Sequence, residues 1–332
     1  MEAARNALQL VGNTPLLKLE KVTKGIEADV FVKLEYLNLS GSYKDRAATY
    51  MIKQAEKTGA LKPDGIILDS TTGNFGPALA FVGGVKGYKV KLLISELFLP
   101  AKTRVDIMRG WGAEVQVRPL PPKDFFDQAS EDEKGLLDWV LCKKNCTSLK
   151  KEDPKIWWAD QISNYDNVLG HKFGQGKEIV EQTGADIDVW VASVGSAGAL
   201  WGVAQALKEK NPKVKIVALC PEDFPLFDWT KRGRWEYWVK QLGFEYPKTL
   251  VKRMLEEAPP DELIYITDED ARNMANRLAK EEGIFCGMSS GANVHAAIEI
   301  AKKLGKGQKV LSVIVERREK YAGEHPNEHY VV

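Results

Sequence analysis

The chain has 332 residues, 44% hydrophobic and 28% charged, an ordinary globular composition and a length that suits two domains rather than one. Its 47 Lys and Arg against 46 Asp and Glu leave a formal net charge of +1, so no global field recruits nucleic acid or an anionic membrane. The four cysteines, Cys142, Cys146, Cys220 and Cys286, make no disulfide framework, and the Cys142/Cys146 pair lacks the partners of a zinc site, so no metal is expected.

From the N-terminus, "MEAARNALQLVGNTPLL" carries a short apolar patch without signal-peptide architecture, and no apolar run approaches the roughly 18 residues of a membrane span. With few cysteines, this points to a cytoplasmic protein. A strand is expected at 28–35 and a helix at 44–59, with Ala47, Met51 and Ile52 on one side and Gly59 as a stop. Strand 65–71, helix 74–87, strand 89–95, helix 101–112 and strand 113–118 follow. Residues 119–160 are less regular and would hold a helix and a connection between domains. Alternation then resumes with helix 171–184, strand 187–195, helix 198–212 and strand 213–222. Segments 268–283, 289–305 and 308–316 complete a second unit. Strand–helix alternation implies parallel β-α-β units, hence two open α/β domains with a ligand cleft between them.

Three glycine-rich or small-residue turns stand between a strand and a helix, where backbone N–H groups and the helix dipole favour an anion. "DSTTGNFG" offers Thr71, Thr72, Gly73 and Asn74, suited to a carboxylate, although ordinary N-capping explains the same residues. "ASVGSAGALWG" places Gly195, Ser196, Ala197, Gly198 and Ala199 after an apolar strand. It matches neither nucleotide-binding glycine motif, and a compact turn is its simpler account. In "CGMSSGANV", Ser289 and Ser290 precede a helix as caps or as donors to a heterocyclic nitrogen. Lys44, in "SGSYKDR", opens a helix. There a cation is slightly disfavoured by the dipole, which hints at a role beyond a solvated charge and would depress the amine pKa.

In this order the segments resemble the pyridoxal-phosphate enzymes of the cysteine synthase and cystathionine β-synthase family, fold type II, over about residues 7 to 315. "VGNTPLLKL" is similar to the family's N-terminal signature, "LNLSGSYKDRAATYMI" to its cofactor-lysine segment and "STTGNFGPALA" to its substrate-carboxylate loop. "DQISNYDNVLGHKFGQGKEI", "SVGSAGALWGV" and "GIFCGMSSGANV" correspond to later family segments. The resemblance implies that Lys44 forms a Schiff base with pyridoxal 5′-phosphate, Asn74 bonds the cofactor's 3′-oxygen, residues 195–199 hold its phosphate and Ser289 meets the ring nitrogen. Thr71, Thr72, Gly73, Asn74 and Gln161 would grip the amino-acid carboxylate. It further implies a larger cofactor-binding α/β domain from 1–45 and 161–332, a smaller mobile α/β domain from 46–160 carrying the carboxylate loop, the cofactor in the cleft between them, and a homodimer.

The implied activity is β-replacement on an O-activated L-serine (acetyl or phospho) with sulfide, through an aminoacrylate intermediate, giving L-cysteine. Alternatives are a cysteine lyase that releases sulfide, a cystathionine β-synthase-like condensation with homocysteine, and a catalytically silent binding protein on the same fold. Three departures from the family bear on this. The phosphate turn has Ala199 where a hydroxyl is usual. The late segment "VIVERREKYAG" lacks the usual run before its basic residue and tyrosine. Residues 223–250 replace a glycine-rich loop with "DFPLFDWTKRGRWEYWVKQLGFEYPKTL". There Arg232 and Arg234 would receive a phosphate or form a solvated surface, and Asp223 or Asp228 would serve as an acid or base.

Overall fold

The computed structural model describes residues 3–71, 73–98, 102–121 and 123–321. Among the described residues ten strands form two sheets: β1 Leu16–Lys18, β2 Asp29–Leu34, β3 Ile66–Ser70, β4 Lys89–Ser95, β5 Glu114–Arg118, β6 Ile156–Trp158, β7 Val189–Ser193, β8 Lys215–Pro221, β9 Glu262–Ile266 and β10 Lys309–Ile314. The six-stranded sheet runs β1-β2-β10-β7-β8-β9, parallel except for β1 against β2. The four-stranded sheet runs β5-β4-β3-β6 and is parallel throughout. Strands such as "VWVAS" read as unbroken apolar runs because parallel sheets are covered by helices on both faces.

The chain divides into two compact units. The first comprises residues through Ala47, Ile162–Phe227 and Thr249–Arg318, and contains the six-stranded sheet. Its core is built on Val30, Val32, Val191, Val310, Ala296 and Ala297, all buried. The second comprises Ala48–Gln161, Asp228–Lys248 and the chain from Glu319, and contains the four-stranded sheet. Among the described residues no helix is long and apolar enough to cross a membrane.

Two features of the first unit position the lysine segment. Arg46 donates from Nε and Nη2 to Glu35, at 2.7 and 2.9 Å, and from Nη1 and Nη2 to Glu178, both at 2.7 Å. Lys33, fully buried, donates to Glu178 at 2.8 Å. The "VGNTP" turn lies on this cluster. Gly12 has φ +98, and a Cβ there would stand 2.8 Å from Glu178 Oε1 and 2.9 Å from Arg46 Nη1. Only glycine satisfies both the left-handed backbone and the close approach.

Residues 119–160 hold more structure than their sequence suggests. Helix Lys134–Glu152 is followed by β6, which pairs with β3. In the second unit the aromatic stretch 228–248 includes helix Arg234–Gln241 and lies against this part of the chain. Arg234 makes a bidentate pair with Glu133 at 2.6 Å, Trp235 meets Trp139 edge-on at 5.7 Å, and Tyr246 donates to Asp160 at 2.5 Å.

Candidate active site

Lys44, in the first unit, is the first residue of helix Lys44–Thr58 and is only 8% exposed. This is no solvated helix-end charge. Its Nζ lies 3.3 Å from Ser196 Oγ and 5.1 Å over the Tyr43 ring. Ser196 belongs to the turn that joins β7 to helix Gly198–Lys208. Its hydroxyl oxygen also accepts from Asn167 Nδ2 at 2.9 Å. With two donors already on that oxygen, the hydroxyl proton is left to be given away, which suits an anionic oxygen.

The turn is shaped for this. Ala197 has φ +69, a left-handed conformation that costs a non-glycine residue about 1–2 kcal/mol. It turns the chain into an 11-residue helix whose first N–H groups have no intrahelical acceptor. At Gly195 a Cβ would meet nothing within 4 Å, so the outer side of the turn is open. At Gly198 a Cβ would stand 2.3 Å from Asn167 Oδ1. Open backbone donors, a hydroxyl proton and a buried amine make a donor set that fits a phosphorylated aldehyde. Ala199, buried at 5% exposure, brings no hydroxyl to the turn. Gly198→Ala is expected to displace Asn167, release Ser196 and weaken pyridoxal-phosphate affinity about tenfold, checked by equilibrium titration of the cofactor's visible band.

Around this cluster lie groups that the sequence did not single out. His171 is fully buried, its Nδ1–H donating to Gln175 Oε1 at 3.0 Å, while Nε2 has no hydrogen-bond partner among the described residues. Burial, then the charge of Lys44, lowers its pKa to about 3, so the ring is neutral. Burial raises the Tyr43 hydroxyl far above its ordinary range, and the Glu316 charge adds to that. Asn167 and His171, i and i+4 on one helix, were the available signal, but nothing in the sequence marks them as buried.

Ser289 is exposed in the first turn of helix Met288–Ala301 and makes no side-chain cap. Ser290 is buried, accepts from Val315 N at 2.9 Å and donates to Glu316 at 3.3 Å. The two serines thus have different work, and only Ser289 faces outward from the packed chain. Asp223, also in this unit, is exposed.

In the second unit, Thr71 Oγ1 and Gly73 N stand 3.4 Å apart, bending the chain after β3; Thr72 lies outside the described residues. Asn74 precedes helix Phe75–Val85 without capping it. Its Oδ1 accepts from Lys320 Nζ at 2.8 Å and its Nδ2 donates to Tyr321 at 3.4 Å. The late basic residue and tyrosine of "EKY" therefore orient the asparagine amide. Gln161 follows β6, its backbone N–H donating to Asp69 at 3.3 Å. Asp228 and Arg232 are exposed, joined by a 3.4 Å contact from Arg232 Nε to the Asp228 carbonyl, whereas Arg234 is engaged with Glu133 and lies over Tyr237.

Comparison with known proteins agrees with this chemistry. Residues 7–316 match the family described as pyridoxal-phosphate dependent enzyme. A cysteine synthase of Staphylococcus aureus is 37% identical over 317 residues, covering 95% of this chain and 94% of the relative. The solved cysteine synthase of Entamoeba histolytica has a TM-score of 0.80 at 31% identity, over 96% of this chain and 89% of that one. A hydrogen sulfide-producing enzyme of Fusobacterium nucleatum has a TM-score of 0.79 at 28% identity, over 96% of this chain and all of that one. From residue 7 to 316 the chain belongs to the pyridoxal-phosphate dependent enzymes, with pyridoxal phosphate as cofactor and a fold type II architecture.

Proposed function

We propose that this enzyme makes L-cysteine by β-replacement, exchanging the O-acetyl or O-phospho group of an activated L-serine for sulfide. The observation that carries the reading is the buried Lys44 amine beside Ser196 at the small-residue turn, in a chain 37% identical to a cysteine synthase. Pyridoxal phosphate supplies the conjugated ring that accepts the electron pair left at Cα when its proton departs. The Lys44 amine would hold the cofactor through its aldehyde carbon, and the same amine, when free, would be the base for the substrate Cα proton. Residues 195–199 and the following helix N-terminus take the phosphate. Asn74 would meet the ring's 3′-oxygen, and Thr71, Thr72, Gly73, Asn74 and Gln161 would grip the substrate carboxylate. Ser289 would offer the ring nitrogen a neutral hydroxyl rather than a carboxylate, so that nitrogen would stay largely unprotonated. Assignment of the larger domain to the cofactor and of the smaller, mobile one to the carboxylate loop belongs to the same proposal, as do a homodimer and a cytoplasmic location.

Net release of sulfide from L-cysteine is the second reading, supported by the likeness to the sulfide-producing enzyme. The test is product analysis of the holoenzyme with O-acetylserine, O-phosphoserine, L-serine and L-cysteine, with and without sulfide. Cysteine formed from an O-activated serine is the expected result. Sulfide released from L-cysteine alone, with no cysteine formed, would overturn the first reading in favour of the second. A selective response to O-phosphoserine that is lost in Arg232→Ala would give residues 223–250 the phosphate-binding role.

A further inference from the structure

The second unit contains a buried ion pair that the reaction above does not use. Asp69, in β3, and Lys143, in helix Lys134–Glu152, are both fully buried, with Nζ 3.2 Å from Oδ1. A buried pair of this kind is weak evidence for stability, because desolvation offsets most of its attraction. What distinguishes it is the set of groups it holds. Asp69 Oδ1 accepts from Ser70 N at 2.7 Å and from Trp158 Nε1 at 3.1 Å, and Oδ2 accepts from Gln161 N at 3.3 Å. Lys143 also donates to the Ser70 carbonyl at 3.2 Å.

These contacts fall where two neighbouring parallel strands end. β3 and β6 pair through Leu68 and Trp158, and Ala159 N then donates to the Leu68 carbonyl at 2.9 Å. Beyond it the β6 side turns away through Asp160, at φ +49, and the β3 side continues to Thr71, whose Oγ1 accepts from Gly73 N. The Asp69 carboxylate spans the two exits, one oxygen on Ser70 N and the other on Gln161 N. Trp158 packs in turn on Tyr246, at 5.9 Å, and Tyr246 bonds Asp160, so the aromatic stretch 228–248 braces the same exit.

We propose that Asp69, neutralised by Lys143, is a positioning residue that sets the spacing between the end of β3 at Ser70 and Thr71 and the exit of β6 at Gln161, and thereby the enzyme's affinity for the amino-acid carboxylate. The inference rests on the carboxylate-binding role proposed above. Burial alone would lower the Lys143 amine, but the charges of Asp69 and then Asp160 outweigh it and leave its pKa raised, so the lysine is a cation at neutral pH. An amide in place of the carboxylate is not equivalent. Asn at 69 presents one acceptor and one donor, and the donor would face an N–H that needs an acceptor. Misplacement of this order costs affinity about tenfold or more even when the reacting groups are untouched.

The test uses holoenzyme of wild type, Asp69→Asn, Lys143→Met and the double variant. It measures thermal stability, KM and kcat with O-acetylserine, and the dissociation constant of L-alanine from its shift of the cofactor band. L-Alanine has no β-leaving group and reports carboxylate binding apart from turnover. Asp69→Asn is expected to raise KM and the L-alanine dissociation constant about tenfold, with kcat changed less than about threefold and the cofactor band intact. Lys143→Met is expected to lose both stability and affinity. The double variant removes the stranded charge and is expected to regain stability while remaining about tenfold weak for L-alanine. Wild-type L-alanine affinity in Asp69→Asn, or affinity that returns with stability in the double variant, would overturn the proposal and leave the pair a packing device. A wild-type enzyme that binds L-alanine but turns over no O-activated serine would instead sink the proposed reaction, leaving the positioning role to be read from the L-alanine titration.

Discussion

Lys44→Ala is expected to cut turnover by roughly 10³-fold or more and to remove the visible band of the lysine-held cofactor while the protein stays folded. The size follows from the two jobs given to one amine, holding the cofactor and moving the Cα proton. That it stays folded follows from the surroundings. Lys44 is 8% exposed at a helix N-terminus, where a cation is opposed by the dipole, and its side chain is held through the Ser196 hydroxyl and the Tyr43 ring. Alanine is also the better helix former. Lys44→Arg separates charge from chemistry, because a guanidinium stays protonated and cannot condense with an aldehyde. It should be as inactive as alanine. Absorbance of purified protein with added pyridoxal phosphate, together with circular dichroism, checks both. A second readout is His171, whose pKa is lowered first by burial and then by the Lys44 charge. Removing the lysine should raise that pKa somewhat but leave it below the ordinary histidine value, a shift that NMR of the imidazole reads directly.

Much of the fold was legible because buried parallel strands announce themselves. β4 was read at its observed bounds, and β2, β3, β5, β7 and β8 within one or two residues at each end, from apolar runs closed by glycine or charge. β6 was not legible. "IWW" is three residues long, and it is a strand only because β3 lies beside it. β9 and helices Leu226–Lys231, Arg234–Gln241 and Leu250–Glu257 were missed for a related reason, since short elements carry too few turns to show a period. The helix expected over 171–184 is interrupted by a widened turn at Lys172–Gly176, where Gly174 and Gly176 weaken the pattern. At the site, residue types and order marked the lysine, the turns and the serines. They could not say that Asn74 caps nothing, that Ser289 faces outward while Ser290 is buried, or that Asp69 joins two loops. Each of those is a fact of side-chain direction, and a sequence holds direction only through its period.

Arg46→Met is expected to destabilise the first unit by about 3–5 kcal/mol, the usual cost of stranding a buried charge. Arg46 serves two carboxylates at once, with Glu35 fully buried and the Glu178 side chain only 16% exposed. Methionine keeps much of the stem packing and removes every bond. Lysine at 46 restores charge without the fork and should recover only part of the loss. Adding Glu35→Gln to Arg46→Met removes the stranded charge and should also recover part of it, which distinguishes electrostatics from lost packing. The pH dependence follows from Glu178. Burial pushes its carboxyl up, but hydrogen bonds and charge from Arg46, with help from Lys33, outweigh this and hold its pKa at about 2 against an ordinary 4.5. A carboxyl held low binds its proton more tightly in the unfolded chain. Its stabilisation is therefore complete above about pH 5 and is lost as pH falls through 4.5 toward 2, by about 3 kcal/mol in all. In Arg46→Met the Glu178 pKa rises, and that window closes. Denaturant unfolding at pH 7 and at pH 3 should then show wild type losing much more stability than the variant. Equal losses in the two proteins would place the acid sensitivity elsewhere in the chain.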